Sequence, residues 1–274
     1  MALMKSSSAV LTPAWVQWIE ENVQRGCSAD AMAAAMQEKG FSLTDARHHI
    51  AASTRHVASV PATPMPQQRV VAGQTIKTLF AMAAPDIELL EGVLSPQECD
   101  ELVARSRHKL LRSTTVNGQS GATEVIEDRT SSGTYFTLAE NDLIASIDQR
   151  LSSLTHHPLD HGEGLQVIHY LPGGEYKAHF DYFPPTDQGS AVHLRHGGQR
   201  VCTVVMYLND VEVGGETHFP ALNLKVLPKK GAALRFSYCD QDGVLDERSL
   251  HAGLPVIQGE KWIATKWIRQ RPYV

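Results

Sequence analysis

From Glu163 to the C-terminus the chain is built of short β-branched and aromatic runs, separated by clusters of Gly, Pro, Asn and Asp. The runs are Leu165–Leu171, Val201–Leu208, Ala232–Tyr238 and Trp262–Arg269. Strand-length runs bounded by turn residues predict antiparallel strands with compact connections. An earlier run, Ile87 to Val93, reads as another strand. Two capping boxes precede the strand-rich region. Ser95-Pro96-Gln97-Glu98 opens a helix through about Arg107, and Thr137-Leu138-Ala139-Glu140 opens one through about Leu154. The expectation is an α+β domain, an antiparallel barrel or jelly roll with supporting helices, starting near Asp86 and running to residue 274. Barrels of this kind hold small ligands in the mouth between their sheets.

The first fifty-eight residues read differently. Thr12-Pro13 is a helix start, and Trp15, Trp18, Ile19 and Val23 follow at helical spacing. Gly26 ends that helix, Ser28 caps a second one, and Ser42 with Asp45 opens a third. A small three-helix bundle over residues 1–58 is expected, similar in pattern to ubiquitin-associated domains, with both Trp residues in its core. Pro61, Pro64, Pro66 and Pro85 then mark residues 59–85 as an extended linker.

Composition excludes several classes. The formal net charge of −5 gives no field that attracts nucleic acid. No apolar run is long enough to span a membrane, and Met1 to Val10 has no adequate apolar core for a secretory signal. Cys27, Cys99, Cys202 and Cys239 form no C-x-x-C pair, as expected for a cytoplasmic protein.

Within the strand-rich region lies His179-Phe180-Asp181, with His251 further along the chain. Residues two apart on a strand point to the same face, so His179 and Asp181 can reach one metal together. Two imidazoles and one carboxylate are the ligand set of a non-haem Fe(II) site with open positions. Thirteen histidines make other triads possible. His218, in Gly214-Gly215-Glu216-Thr217-His218-Phe219-Pro220, is the strongest competitor for the third ligand. His251 is preferred because of the residues downstream of it. Lys261, Ile263, Thr265 and Trp267 share one face of the last strand by the period of two. If that face lines the barrel, the Lys261 ammonium sits in a mostly apolar pocket, where only an anion offsets its burial. A dicarboxylate, bonding iron at one end and Lys261 at the other, would satisfy it.

These residues reach a known family. His251-Ala-Gly-Leu-Pro-Val-Ile-Gln-Gly-Glu-Lys261-Trp262 resembles the H-x-x-x-P-V-x-x-G-x-K-W signature of prolyl 4-hydroxylases. Tyr170-Leu-Pro-Gly-Gly-Glu-Tyr176-Lys-Ala-His179-Phe-Asp181 is similar to the family's Y-x-x-G-x-x-Y-x-x-H-x-D. Arg200-Val-Cys-Thr203, Tyr207-Leu208-Asn209 and the Gly214–Pro220 segment match in order. The resemblance covers roughly Asp86 to Arg269.

The resemblance implies a double-stranded β-helix that binds Fe(II) and 2-oxoglutarate, with ascorbate as reductant. It assigns His179, Asp181 and His251 to iron, and Lys261 to the distal carboxylate of 2-oxoglutarate with Tyr170 and Thr203 as supporting donors. Tyr176 and Trp267 fall where the family places substrate-side aromatics, and Arg129 resembles a position near the substrate groove. His218 is not a ligand in the family pattern. The implied reaction is hydroxylation of a C–H bond in a prolyl residue of a peptide or protein, or in a free amino acid. Asp181 argues against halogenation, which needs that position vacant. The rival from another class is a non-catalytic sensing protein whose N-terminal bundle recruits a partner. The loop between Asp181 and Arg200 reads as a lid or substrate loop.

Overall fold

The computed structural model describes residues 9–24, 27–57, 67–239 and 244–273. The chain divides into two units, Met1–Pro64 and Met65–Val274. In the first unit, helices Pro13–Gln24, Ala29–Glu38 and Leu43–Val57 share an apolar core of Ile19, Met32, Met36, Phe41, Ala46 and Ile50. Ser28 caps the second helix by accepting from the Ala31 N–H. Trp15 and Trp18 are only partly buried and pack edge-on against each other at the margin of this core.

Among the described residues of the second unit, nine strands form one sheet. Its order is Gln68–Val71, Gln74–Ala83, Asp86–Glu91, Ala233–Ser237, Arg200–Tyr207, Lys261–Arg269, Leu165–Tyr170, Ser132–Phe136 and Leu111–Arg112. Every pairing in it is antiparallel. A second, four-stranded sheet runs Leu224–Val226, Thr217–Phe219, His251–Gly253 and Tyr176–His179.

Strand alternation divides the large sheet's side chains between two cores. On one face Val204, Met206, Trp262, Ala264 and Ile268 pack against helices Pro96–Ser106 and Asp142–Thr155 through Cys99, Leu102, Ile144, Ile147 and Leu151. On the other face Ile168, Tyr170, Val205, Tyr207, Leu234, Phe236 and Ile263 meet Phe219, Val226 and Val256. The functional residues lie on this second face. Lys266 falls on the helix face, where it would be a buried lone cation. Asp148 of the second helix meets it at 2.7 Å, with both side chains almost fully buried.

Two expectations are corrected by this architecture. The linker read over residues 59–85 is, from Gln68 onward, a hairpin that extends the large sheet. Its Ala72-Gly73 turn holds both residues at positive φ, as a two-residue hairpin turn of this hand requires. Ala-Gly is a weak signal for such a turn, and Ile76 is the only fully buried side chain of the strand beyond it. The nearby prolines therefore dominate the sequence pattern, and residues 58–66 lie outside the described segments. The helix expected from Thr137 begins instead at Asp142, capped by Asn141. Glu140 does bond back to the Thr137 N–H, but Ala139 sits at φ 52° and closes a turn there. The box at Ser95 holds in full, with both reciprocal bonds present.

Candidate active site

His179 ends a strand of the four-stranded sheet, and His251 pairs with it across the ladder. Asp181 stands two residues further on and brings its carboxylate between the two imidazoles. Each carboxylate oxygen is 3.6 Å from one Nε2. The three ligand atoms lie within 4.8 Å of one another and form the metal-competent cluster among the described residues. His218 is outside it. Thr217 and Phe219 are buried inward on the same strand, so alternation turns His218 to the other face.

The surrounding bonds fix which atoms face the metal. His179 Nδ1 donates to the Lys177 carbonyl at 2.8 Å, and His251 Nδ1 to the Ser249 carbonyl at 3.0 Å. Both Nε2 lone pairs are thereby presented to the cluster. Tyr176 stacks on His179 at 3.6 Å, and Phe236 meets the His251 ring edge-on. Burial, and then the neighbouring His179, push the His251 imidazole down to about 4. Burial by itself would raise the Asp181 carboxyl, but the two histidines outweigh it and hold it well below the usual range. Neutral imidazole and ionised carboxylate are the forms that bind a metal. The donor set therefore fits Fe(II).

Thr203 is placed differently from the expectation. Its hydroxyl donates to Asp181 at 2.7 Å and lies near Tyr238, and it does not line the cavity beside Lys261. It orients the carboxylate. Tyr170 does line that cavity, with Lys261 Nζ 5.4 Å from its ring centre. Lys261, Ile263, Thr265 and Trp267 all face the cavity, as the period of two requires. Lys261 is 3% exposed, and no hydrogen bond or ion pair ends on its ammonium among the described residues. Gly215 and Gly253 flank it, and Glu216 acts on it only from a distance. A buried donor with three free N–H groups, lining the same cavity as the metal cluster, fits a dicarboxylate.

Burial pushes the Lys261 ammonium down to about 8, with Glu216 opposing. Below that pH the group is charged and able to hold a carboxylate; above it the group becomes neutral. The KM for 2-oxoglutarate should therefore be flat up to about 8 and then rise about tenfold per pH unit. A KM that stays flat into the alkaline range would contradict this.

Arg129 is buried beside the same cavity. Its guanidinium donates to the Thr114 carbonyl, Ser131 and Gln166, and it lies 4.8 Å over the Tyr176 ring. Gln166 and Thr217 were not assigned roles from sequence. Thr217 lines the cavity and bonds Tyr207 at 2.8 Å. The alternation that groups Gln166 with Tyr170 was the signal available for the first.

Outside the metal the cavity opens into a cleft of about 400 Å³. Tyr176 and Trp267 line both. Two loops wall the cleft, the hairpin around Asn117–Gly121 and the segment after Asp181. They meet backbone to backbone: the Gly189 N–H donates to the Gly118 carbonyl at 2.8 Å. A Cβ on Gly189 would lie 2.3 Å from the Gly121 nitrogen, so only glycine permits this approach. His193 adds a bond to the Gly121 carbonyl and stacks on Phe183.

This fold and site are those of an iron-dependent oxygenase that uses an acidic cosubstrate, and comparison with known proteins agrees. The profile of the 2OG-Fe(II) oxygenase superfamily matches residues 165–269. A probable prolyl 4-hydroxylase 3 of Arabidopsis thaliana is 40% identical over 199 residues, covering 66% of this chain and 68% of that protein. Prolyl 4-hydroxylase 2 of the same plant is 39% identical over 205 residues, covering 67% of each. Among solved structures, the viral collagen prolyl hydroxylase of Paramecium Bursaria Chlorella virus-1 in its 2OG complex aligns with a TM-score of 0.53. It is 33% identical and covers 67% of this chain and 95% of that one. The chain belongs to the prolyl 4-hydroxylase family of Fe(II)- and 2-oxoglutarate-dependent dioxygenases.

Proposed function

We propose that this enzyme hydroxylates a prolyl residue within a peptide or protein chain. One observation carries the reading: the metal cluster and the buried Lys261 line one cavity, and an aromatic-lined cleft shares residues with it. His179, Asp181 and His251 hold Fe(II). Lys261 binds the distal carboxylate of 2-oxoglutarate, with Tyr170 and Thr217 at the cavity wall. Bound there, the metal and cosubstrate supply the oxidising chemistry, in which O2 consumption and decarboxylation to succinate and CO2 accompany hydroxylation. The chain's own residues bind, orient and exclude water. Thr203 fixes the Asp181 carboxylate. Tyr176, held between His179 and Arg129, and Trp267 line the cleft beside the metal site and receive the pyrrolidine ring there. The latched loops cover the chain on either side of that ring.

The two sheets packed through the Ile168–Phe219 core support reading this unit as a double-stranded β-helix. The three N-terminal helices are a small bundle joined to it, and we assign them partner recruitment. No helix among the described residues is long and apolar enough to cross a membrane. We place the protein in a cytoplasmic setting, in keeping with the unbridged thiols of Cys27, Cys99 and Cys202.

The test is mass spectrometry of proline-containing peptides and proteins after incubation with enzyme, Fe(II), 2-oxoglutarate and ascorbate. The expected result is one added oxygen on a prolyl residue, with equimolar succinate. Hydroxylation of free amino acids alone would overturn the peptide reading.

A further inference from the structure

Lys261 stands where three strands of the large sheet run out together. It is the first residue of Lys261–Arg269, and its ladder partner Tyr170 is the last of Leu165–Tyr170. On the other side, the ladder with Arg200–Tyr207 stops at the Tyr207–Ile263 pair, short of Lys261. Strand ends open more readily than strand centres. Resting on the assignment of Lys261 to the distal carboxylate of 2-oxoglutarate, we propose that Asn209 is the positioning residue that holds this lysine ready for the cosubstrate.

Beyond Tyr207 the main chain adds one more bond, from the Leu208 N–H to the Trp262 carbonyl at 2.9 Å. From there the Asn209 side chain takes over. Its Oδ1 accepts from the Trp262 N–H at 2.7 Å, and its Nδ2 donates to the Glu260 carbonyl at 2.7 Å. The amide therefore spans Lys261 and ties the residue on either side of it. Those partners fix its orientation, since a backbone N–H only donates and a carbonyl only accepts. One carboxamide supplies the acceptor and the donor that a continuing strand would have offered here.

Both neighbours of Lys261 are tied a second time, through their side chains. His169 Nε2 lies 2.7 Å from the Glu260 carboxylate, and the His169 ring stacks on Trp262 at 4.0 Å. Lys261 itself is the exception. Its ammonium meets no hydrogen-bond or ion-pair partner among the described residues, and the flanking Gly215 and Gly253 carry no side chain to grip its stem. A long side chain of this kind is located by where its backbone is held. An ammonium already in place when the carboxylate arrives loses less binding free energy to ordering. Asn209 lines neither the cavity nor the cleft, so its effect on the cosubstrate runs through Lys261.

The experiment titrates the Mn(II)-loaded full chain with 2-oxoglutarate and with pyruvate, followed by calorimetry. Pyruvate keeps the 2-oxo acid and lacks the distal carboxylate. In Asn209→Ala the Kd for 2-oxoglutarate should rise on the order of tenfold, as the loss of ordinary hydrogen bonds gives, while the Kd for pyruvate stays within about twofold. Adding Asn209→Ala to Lys261→Met should change 2-oxoglutarate binding no further, because the two residues act as one unit. Asn209→Asp keeps the acceptor for the Trp262 N–H and loses the donor to Glu260. It should fall between the parent and the alanine variant, and it carries the same comparison if Asn209→Ala does not fold. Unchanged 2-oxoglutarate binding, an equal loss for both ligands, or a further loss in the Lys261→Met background would overturn the proposal and leave the Lys261 assignment standing. Unchanged 2-oxoglutarate binding in Lys261→Met alone would remove that assignment and this inference together.

Discussion

Replacing Asp181 with alanine is expected to give a folded protein that neither retains iron nor turns over 2-oxoglutarate. The carboxylate contributes a charge and one of three donor atoms, and it is the group that lies 3.6 Å from both imidazoles. Loss of a group that merely orients a ligand costs about 10- to 100-fold in metal affinity, so loss of the ligand should cost at least about 100-fold. The substitution also leaves the Thr203 hydroxyl without its short bond to Asp181. Iron content after gel filtration, set beside the circular dichroism spectrum, separates loss of the site from loss of the fold. A variant that kept stoichiometric iron would refute the ligand assignment. Thr203→Val provides the graded comparison: it should retain iron more weakly than the parent and more strongly than Asp181→Ala.

The second large effect is expected at Lys261. Lys261→Met keeps the length of the side chain and removes the ammonium. Breaking a buried pair costs about 3–5 kcal/mol, so the KM for 2-oxoglutarate should rise on the order of 100-fold or more. The iron content should hold. Because the parent carries this ammonium buried with no anion of its own, the ligand-free variant should be at least as thermally stable as the parent. An unchanged KM would remove Lys261 from the cosubstrate site. A marked fall in Tm would show that the lysine serves the fold.

The strands and the metal ligands were legible because both depend on a period of two. Lys261, Ile263, Thr265 and Trp267 could be placed on one face without knowing what the face met, and all four line the cavity. His179 and Asp181 were paired by the same rule, and the exclusion of His218 comes from it once Thr217 and Phe219 are seen to be buried. Local rules failed where the deciding contact was distant. Gln68–Ala83 is a strand pair because it adds to the edge of a sheet whose next strand is Asp86–Glu91. Thr137-x-x-Glu140 forms its local bond, yet Asp148 accepts from the Ala139 N–H, and the helix starts only at Asp142, after the Asn141 cap. Thr203 was expected to support the cosubstrate, but its hydroxyl bonds Asp181, 22 residues away.

The sequence by itself determined which side chains form the His-Asp-His cluster and which residues, Lys261 among them, share a strand face. These rest on residue type and short spacing. The tertiary structure decided how the outer wall of the cleft is made. Gly118, Gly121 and Gly189 come from loops some seventy residues apart, and each reads alone as an ordinary turn glycine. Only their packing, backbone against backbone, joins the two walls of the cleft. Contacts between main chains leave no pattern of side chains to read.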